Sequence, residues 1–239
     1  PEGYEGPVAA DYPDCLAIIE KKVKPERLKN NRKERREKWW HYAEKCPALY
    51  RTIAGMERVL VRSRVAAINS WDFCKANIVT SEATVVVADG GCDWFALMQN
   101  TFQTSWMLEY ASSMRTDVRY TPTDCFETFP FPAGPLTSLI PIGKTYHEHR
   151  RRIMLDRQLG LTKTYNRFHT PEESDVEIER LRELHMAMDQ AVAAAYGWTD
   201  LDLDHGFHET KQGLRFTISD PARREVLQRL LKLNHERYA

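Results

Sequence analysis

The sequence predicts an α+β fold, in which a mixed-strand domain with a packed helix precedes a mainly α-helical module. β-branched and aliphatic runs bounded by turn residues lie between residues 58 and 87, which is typical of strands. Apolar residues recur at spacings of three and four over 93–110 and again after residue 146, which is typical of helices. We predict a lead-in over 1–29, the mixed-strand domain over 30–135 and the helical module over 136–239.

Charge is segregated along the chain although it balances overall, with 34 Lys plus Arg and 34 Asp plus Glu. Residues 1–20 contain five acidic and no basic side chains, whereas residues 21–46 contain eleven basic and four acidic ones. Net charge therefore excludes no class of partner, and any nucleic-acid surface must come from local clustering. Because residues 1–15 are rich in Gly, Pro and acidic side chains, we predict an irregular lead-in there.

A basic helix is predicted over residues 30–50, where apolar residues follow helical spacing and cations crowd the first half. These cations include Arg32, Lys33, Arg35 and Arg36. A basic helix beside Trp39 and Trp40 is suited to contact phosphates, which position a protein on DNA without reading its sequence. Composition alone equally favours a solvated charged helix.

Strands are predicted in RVLVRSRV (58–65), around Ile78 and Val79, and over Val85 to Val87, ending at Asp89. The helix predicted from Asp93 to Tyr110 has an apolar surface too broad for an isolated helix, so we expect it to pack on the sheet. Two prolines in FETFPFP exclude a central strand. We predict that its three aromatic residues fill the core: Phe126, Phe129 and Phe131.

Arg115, Asp117 and Arg119 occupy every second position in one short stretch. An extended backbone would place all three on one face, with Met114, Val118 and Tyr120 facing the core. Such a row could read base edges. The alternative, which the alternation alone favours, is a solvated edge strand that carries an ion pair.

The helical module is predicted to contain three helices. The first runs from Tyr146 to Leu159 and is stopped by Gly160. The second begins with Thr170 as cap and ends at Gly197, and the third begins at Asp220. GLTKTYNRF is predicted to be a loop whose cations, Lys163 and Arg167, either contact a DNA backbone or dock on another domain.

Several classes of site find no support in the sequence. Five scattered cysteines without a CxxC pair argue against a disulfide framework and a zinc ribbon, and the His147–His149 and His205–His208 spacings have no matching partner for a metal. Without a signal peptide or an apolar run of about 18 residues, we expect a cytoplasmic fragment and no membrane. There is no G-x-G pair and no N-P-P-Y-like tetrapeptide.

Six phrases make the sequence resemble the C-terminal part of MmeI-like, type IIL restriction-modification proteins. They are VKPERLKNNRKERREKWWHYAE (23–44), RVLVRSRV (58–65), DWFALMQN (93–100), RYTPTDCFETFPFP (119–132), GLTKTYNRFHTP (160–171) and LRELHMAMDQAVAAAYGW (181–198). The resemblance spans most of the chain. In that family the region resembles the DNA target recognition domain and the helical region that follows it.

The resemblance implies a sequence-specific DNA recognition module of an adenine-specific DNA methyltransferase. It implies double-stranded DNA and an upstream methyltransferase domain of the same polypeptide as partners. S-adenosylmethionine is expected in that upstream domain and no cofactor in this chain, whose own enzymatic activity stays open. The implied base-contacting residues are Ala83, Arg115, Asp117 and Arg119, with Ser81 and Thr84 flanking Ala83. Arg62, Ser63 and Arg64 are further candidates for phosphate contact.

Two other classes of function are weighed beside this one. A protein-interaction domain would dock a methyltransferase or another partner through its helical half without reading DNA. A small independent enzyme would join a Cys, a His and a carboxylate in one concave site, which their scattered positions do not suggest.

Overall fold

The computed structural model describes residues 5–42, 45–114 and 117–238. The chain divides into two compact units, residues 1–48 and 49–239. The predicted boundaries at residues 29 and 135 stay predictions.

The first unit is built from short helices. A 3-10 turn at Ala9–Asp11 precedes α1 (Pro13–Lys22), α2 (Lys24–Leu28) and α3 (Lys33–Glu37). The lead-in predicted as irregular over 1–15 therefore already contains the 3-10 turn and the start of α1. Pro13 at the first helical position supports that start, because its fixed φ suits a helix and its missing N–H has no helical partner there.

The single basic helix predicted over 30–50 is wrong. The helix α3 ends at Glu37, since Lys38 leaves helical geometry at φ −108° and ψ 49°. The next helix, α4, covers Pro47–Thr52. Between them, Trp39 and Trp40 meet edge to face with ring centroids 5.7 Å apart. A proline at residue 47 also disfavours helical geometry at the residue before it.

The second unit begins with two small antiparallel sheets. The first contains β1 (Arg58–Ser63), β3 (Asp72–Lys75) and β4 (Thr84–Val87) in the order β3–β1–β4. The second contains β2 (Val65–Ala66), β5 (Ser112–Met114) and β6 (Asp117–Arg119) in the order β2–β6–β5. Arg64 alone separates β1 from β2, so one residue joins the two sheets.

The strand predictions are confirmed in RVLVRSRV and at Val85 to Val87 but wrong at Ile78 and Val79. Those two side chains are exposed and follow β3 in a turn. The strand β3 was missed because its sequence, DFCK, has a charged residue at each end. It pairs with β1 through Val59 opposite Cys74.

The helix predicted from Asp93 to Tyr110 is two helices, α5 (Cys92–Gln99) and α6 (Thr101–Tyr110). Asn100 is extended at φ −70° and ψ 170°, and its side-chain oxygen accepts from the backbone N–H groups of Phe102 and Gln103. Asn100 thus starts α6 as an N-cap. The short helix α7 (Pro122–Cys125) follows β6, and Phe129 beyond it is buried while Phe126 and Phe131 are partly buried.

The remainder is helical with one hairpin. After a 3-10 turn at Leu136–Leu139 come α8 (Ile140–Asp156), α9 (Leu161–Phe168), α10 (Val176–Ala195) and α11 (Asp220–Tyr238). The hairpin between α10 and α11 consists of β7 (Gly206–Thr210) and β8 (Gly213–Thr217).

Three predictions in this part change, one element was not predicted, and two predictions are confirmed. The helix α8 begins six residues earlier than predicted, GLTKTYNRF is helix α9 rather than a loop, and α10 begins after Asp175, which caps it, rather than after Thr170. The hairpin was not predicted. The end of α10 near Gly197, with φ +76°, and the start of α11 at Asp220 are confirmed.

A continuous hydrophobic core runs through the second unit from Leu60 to Leu230 and includes Trp71, Phe95 and Tyr146. Residues of the sheets, of α5 and α6 and of the C-terminal helices contribute to this core. The strands that carry the candidate site are therefore held on a broad packed base.

Candidate nucleic-acid interface

The junction of the two sheets brings two sequence-predicted residues, Ala83 and Arg119, close to one backbone segment. Ser63 is paired with Thr84 in the first sheet, and Val65 is paired with Arg119 in the second. Between them, the Arg64 N–H donates to the Ala83 carbonyl at 2.7 Å, and the Tyr120 N–H donates to the Arg64 carbonyl at 2.8 Å. The turn with Ala83 and the end of β6 therefore flank the same residue.

The alternation predicted for β6 is confirmed from Asp117 onward. Val118 and Tyr120 are buried, whereas Arg119 is exposed and Asp117 is partly exposed. Because successive side chains of a strand point to opposite faces, Asp117 and Arg119 share the outward face.

The rest of the predicted row needs correction. Met114 lies on β5, directly opposite Asp117, so it is not on the strand of Val118 as predicted. The strand β6 begins at Asp117. Arg115 lies outside the described residues, so its contact with a base stays a prediction.

Beneath this face, Tyr120 is fully buried and held from three sides. The Gln103 side chain donates to its hydroxyl at 3.0 Å, and Trp71 meets its ring edge to face at 5.5 Å. The Arg62 guanidinium lies 4.5 Å from the ring centroid. Burial raises the pKa of Tyr120 well above its ordinary value, so its hydroxyl stays protonated. This support fixes the backbone of β6 in place.

Arg62 was a candidate for phosphate contact, and the structure contradicts that assignment. Its side chain is buried at 3% exposure, where it donates to Asn69 Oδ1 at 2.6 Å and to the Ser63 carbonyl at 3.1 Å. Burial lowers the pKa of Arg62 to about 10, which leaves it charged at neutral pH. Its role is to support β1 and the Tyr120 ring from inside.

The neighbours of Arg62 are better placed for phosphate contact. Ser63 is exposed and its hydroxyl donates to the Val65 carbonyl at 2.9 Å, while Arg64 is partly buried. Ala83 is exposed in the turn before β4, with Ser81 exposed and Thr84 partly exposed beside it.

In the first unit, the predicted cations differ in their surroundings. Arg32 and Lys33 are exposed, and the Lys33 ammonium lies 3.7 Å from the Glu37 carboxylate. Arg36 donates to the carbonyls of Asn30 and Asn31 at 2.7 and 3.0 Å. Arg35 and Arg36 are partly buried, so Arg32 and Lys33 are the more available pair for phosphates.

On α9, Lys163 is exposed whereas Arg167 is committed to ion pairs within the protein. Arg167 donates to Glu173 at 2.6 Å and to Asp175 at 2.9 Å. The hydrogen bond from Arg167 lowers the pKa of Glu173 below its ordinary value. The predicted phosphate contact of Arg167 would require it to leave two carboxylates, so the structure disfavours it.

In each of the two histidine pairs noted in the sequence, one member is hydrogen-bonded to an aspartate of the protein. His147 Nε2 lies 2.8 Å from Asp72 Oδ1, and His205 Nε2 lies 2.9 Å from Asp189 Oδ2. Within residues 5–42, 45–114 and 117–238, no group of three or more His, Cys, Asp or Glu is arranged to hold a metal ion. No described helix is long and apolar enough to cross a membrane.

Sequence reasoning missed two neighbours of Arg119. Ser112 and Val65 are its register partners on β5 and β2, and both are exposed. Their strands are three and two residues long, too short for a periodic pattern to show.

Comparison with known proteins decides the family. Residues 10–133, slightly more than half of the chain, match the family described as the MmeI target recognition domain. The chain belongs to the MmeI target recognition domain family. The prediction of a target recognition domain of this family is thereby confirmed.

A solved structure supports the fold of this target recognition domain. The type IIL restriction-modification enzyme MmeI in complex with DNA matches with a TM-score of 0.61 and 18% sequence identity. The match covers 97% of this chain and 28% of the MmeI chain, so the chain spans less than a third of that enzyme. No curated protein matches this chain.

Proposed function

We propose that this target recognition domain reads sequence in double-stranded DNA through the outward face of β6 and the adjoining turn at Ala83. The observation that carries the proposal is the hydrogen-bonded junction at Arg64, which holds Ala83 beside the strand that displays Asp117 and Arg119. The solved MmeI structure, to which the fold is similar, is a complex with DNA.

The chemistry of the three described candidates suits base edges. Arg119 can donate to the O6 and N7 acceptors of guanine, and Asp117 can accept from the amino group of cytosine. Ala83 can lie against a thymine methyl. A rigid strand favours such readout because the donors and acceptors must keep their spacing when they meet the groove.

Phosphate contacts would come from other parts of the chain. Arg32, Lys33, Ser63 and Lys163 are exposed, and Arg64 is partly exposed next to the proposed reading face. Arg35 and Arg36 stay candidates after local rearrangement. Such contacts fix register and supply salt-dependent affinity rather than specificity.

We further propose that the domain belongs to a longer cytoplasmic polypeptide, in which an upstream adenine methyltransferase domain binds S-adenosylmethionine. The absence of a glycine-rich turn and of an N-P-P-Y-like tetrapeptide in this sequence supports that division of labour. Calorimetry of the 239-residue chain with S-adenosylmethionine tests it. We expect no heat of binding, and micromolar affinity would overturn this part of the proposal.

Selection from a randomised duplex library tests the reading function. The 239-residue chain should enrich a defined motif, and Asp117→Asn should relax the preference at one position of that motif. Arg180→Ala is the matched control, because Arg180 is an exposed charged residue on α10, paired with Glu183. Enrichment of no motif by the folded chain would contradict the proposed function.

A further inference from the structure

Arg119 lies in the middle of a row that crosses three strands. Val65 on β2 is its register partner on one side, and Ser112 on β5 is its partner on the other. Directly opposed residues in antiparallel strands place their Cβ atoms about 5 Å apart on the same face. The row therefore presents a methyl-bearing side chain, a guanidinium and a hydroxyl side by side.

Val65 is exposed on this face although it is apolar. Its exposed fraction is 38%, whereas Val118, one position from Arg119 on β6, is buried at 9%. The register explains the difference, because Ala66, the next residue on β2, is the partner of Val118 and shares its inward face. Val65 is thus an outward apolar group directly opposite Arg119, the residue that the proposed function assigns to base contact.

The position of Val65 is fixed by hydrogen bonds around it. The Ser63 hydroxyl donates to the Val65 carbonyl at 2.9 Å. The preceding residue, Arg64, is hydrogen-bonded through its N–H to Ala83 and through its carbonyl to Tyr120. A β-branched side chain has restricted χ1 rotamers, so its two methyl groups are held in place as well.

Together these observations identify a specific contact. We propose that Val65 is a specificity-determining residue that packs against the 5-methyl group of a thymine next to the base pair contacted by Arg119. An apolar side chain distinguishes thymine in the major groove by its methyl group. The spacing permits contact with neighbouring base pairs, because strands lie about 4.8 Å apart and successive bases about 3.4 Å apart, and the long Arg119 side chain can span the difference.

This inference depends on the proposed function, and its test can fail separately from it. The motif enriched by the 239-residue chain is first determined, and each thymine in it is then replaced by deoxyuracil. Deoxyuracil keeps the hydrogen-bonding edge of thymine and lacks only the methyl group. We expect one such replacement to weaken binding of the unmodified chain about fourfold, as expected for loss of one buried methyl contact.

The Val65→Ala variant should bind the thymine and deoxyuracil duplexes equally well at that position. Val79→Ala is the matched control, because Val79 is 56% exposed and lies in the turn after β3, outside the second sheet. That control should keep the fourfold ratio. Circular dichroism and thermal unfolding of Val65→Ala should match those of the unmodified chain, because an exposed side chain is changed.

Three outcomes separate the inference about Val65 from the proposed function. Loss of the methyl dependence in Val65→Ala, with retention in Val79→Ala, supports the inference. A motif that depends on Arg119 but shows the same thymine-to-deoxyuracil ratio in Val65→Ala overturns the inference and leaves the proposed function standing. Failure of the folded chain to enrich any motif overturns both.

Discussion

Arg119 and Arg150 show two opposite uses of a cation in the same unit. Arg119 is exposed on the outward face of β6, and its register partners are Val65 and Ser112. Arg150 is 1% exposed on α8 and donates to the Trp71 carbonyl at 2.7 Å and to the Tyr165 hydroxyl at 3.1 Å. One arginine is available to a partner, whereas the other ties the helical part to the strand-bearing part.

Residue type alone therefore does not determine the role of a cation in this protein. Arg62 resembles Arg150, since both are buried and both donate to groups on other elements. Arg62 was predicted to contact phosphates because RVLVRSRV contains regularly spaced cations. That local pattern does not show which distant residues bury the Arg62 side chain.

The largest effect is expected when the buried cation is removed. Arg150→Met would leave the Trp71 carbonyl and the Tyr165 hydroxyl without their guanidinium donor, whereas the Asp72 carboxylate, 3.4 Å from Arg150, would keep His147 beside it. Each buried acceptor left without its donor costs about 1–3 kcal/mol, so we expect a loss of about 3 kcal/mol. Urea unfolding should show that loss, whereas Arg151→Ala, at an exposed neighbouring position, should change stability by less than about 0.5 kcal/mol. Equal stability of the two variants would refute the structural role.

The next effect concerns pH. Burial, followed by the nearby charges of Arg215, His185 and Arg182, lowers the pKa of His169 to about 3. Since the unfolded chain binds this proton near pH 6.5 and the folded chain does not, this stabilisation is complete above pH 6.5 and is lost as pH falls toward 3. Between pH 7 and pH 5, unfolding free energy should drop by about 2 kcal/mol more in the unmodified chain than in His169→Phe.

Chemical denaturation at the two pH values measures this difference. Burial also lowers the pKa of His185, so both proteins should lose further stability as the pH falls. This loss is common to the two proteins and cancels in the difference between them. Identical pH dependence in the two proteins would show that His169 is protonated as easily in the folded chain as in the unfolded one.

A smaller effect is expected from the first unit. Replacing the exposed pair Arg32 and Lys33 by alanine should weaken binding to all duplexes alike, because phosphate contacts carry no sequence information. The slope of log affinity against log salt should become shallower by up to about 1.8, or about 0.9 for each lost contact. An unchanged slope would mean that the charged phosphate contacts come from other cations, such as Lys163 or Arg64.

Much of the proposed reading face could be predicted from sequence, and its surroundings could not. The period of two from Asp117 to Tyr120 is a local property, so burial of Val118 and Tyr120 followed from it. The approach of Ala83 to Arg119 depends on strand register between distant segments, which no local pattern encodes. The resemblance to the family instead implied that both residues contact bases.

Other differences have equally local causes. Asn100 interrupts an apolar pattern that continues through α5 and α6, because its side chain caps the second helix. The hairpin over 206–217, which was not predicted, did have a sequence signal, since Gly213 follows a short polar turn between the two strands. Its φ of +85° is one that glycine adopts readily. GLTKTYNRF, which was predicted to be a loop, forms a helix because Tyr165 and Phe168 are buried on one face.

We propose that the exposed Arg119 reads DNA and that the buried Arg62 and Arg150 do not. The most direct measurement is the ratio of affinities for the enriched duplex and for a duplex changed at one base pair, with unfolding free energy measured on the same samples. For Arg119→Ala, we expect loss of about 1 kcal/mol or more of discrimination at one position, with unfolding free energy unchanged within about 0.5 kcal/mol. Unchanged discrimination at every position of the motif would contradict it.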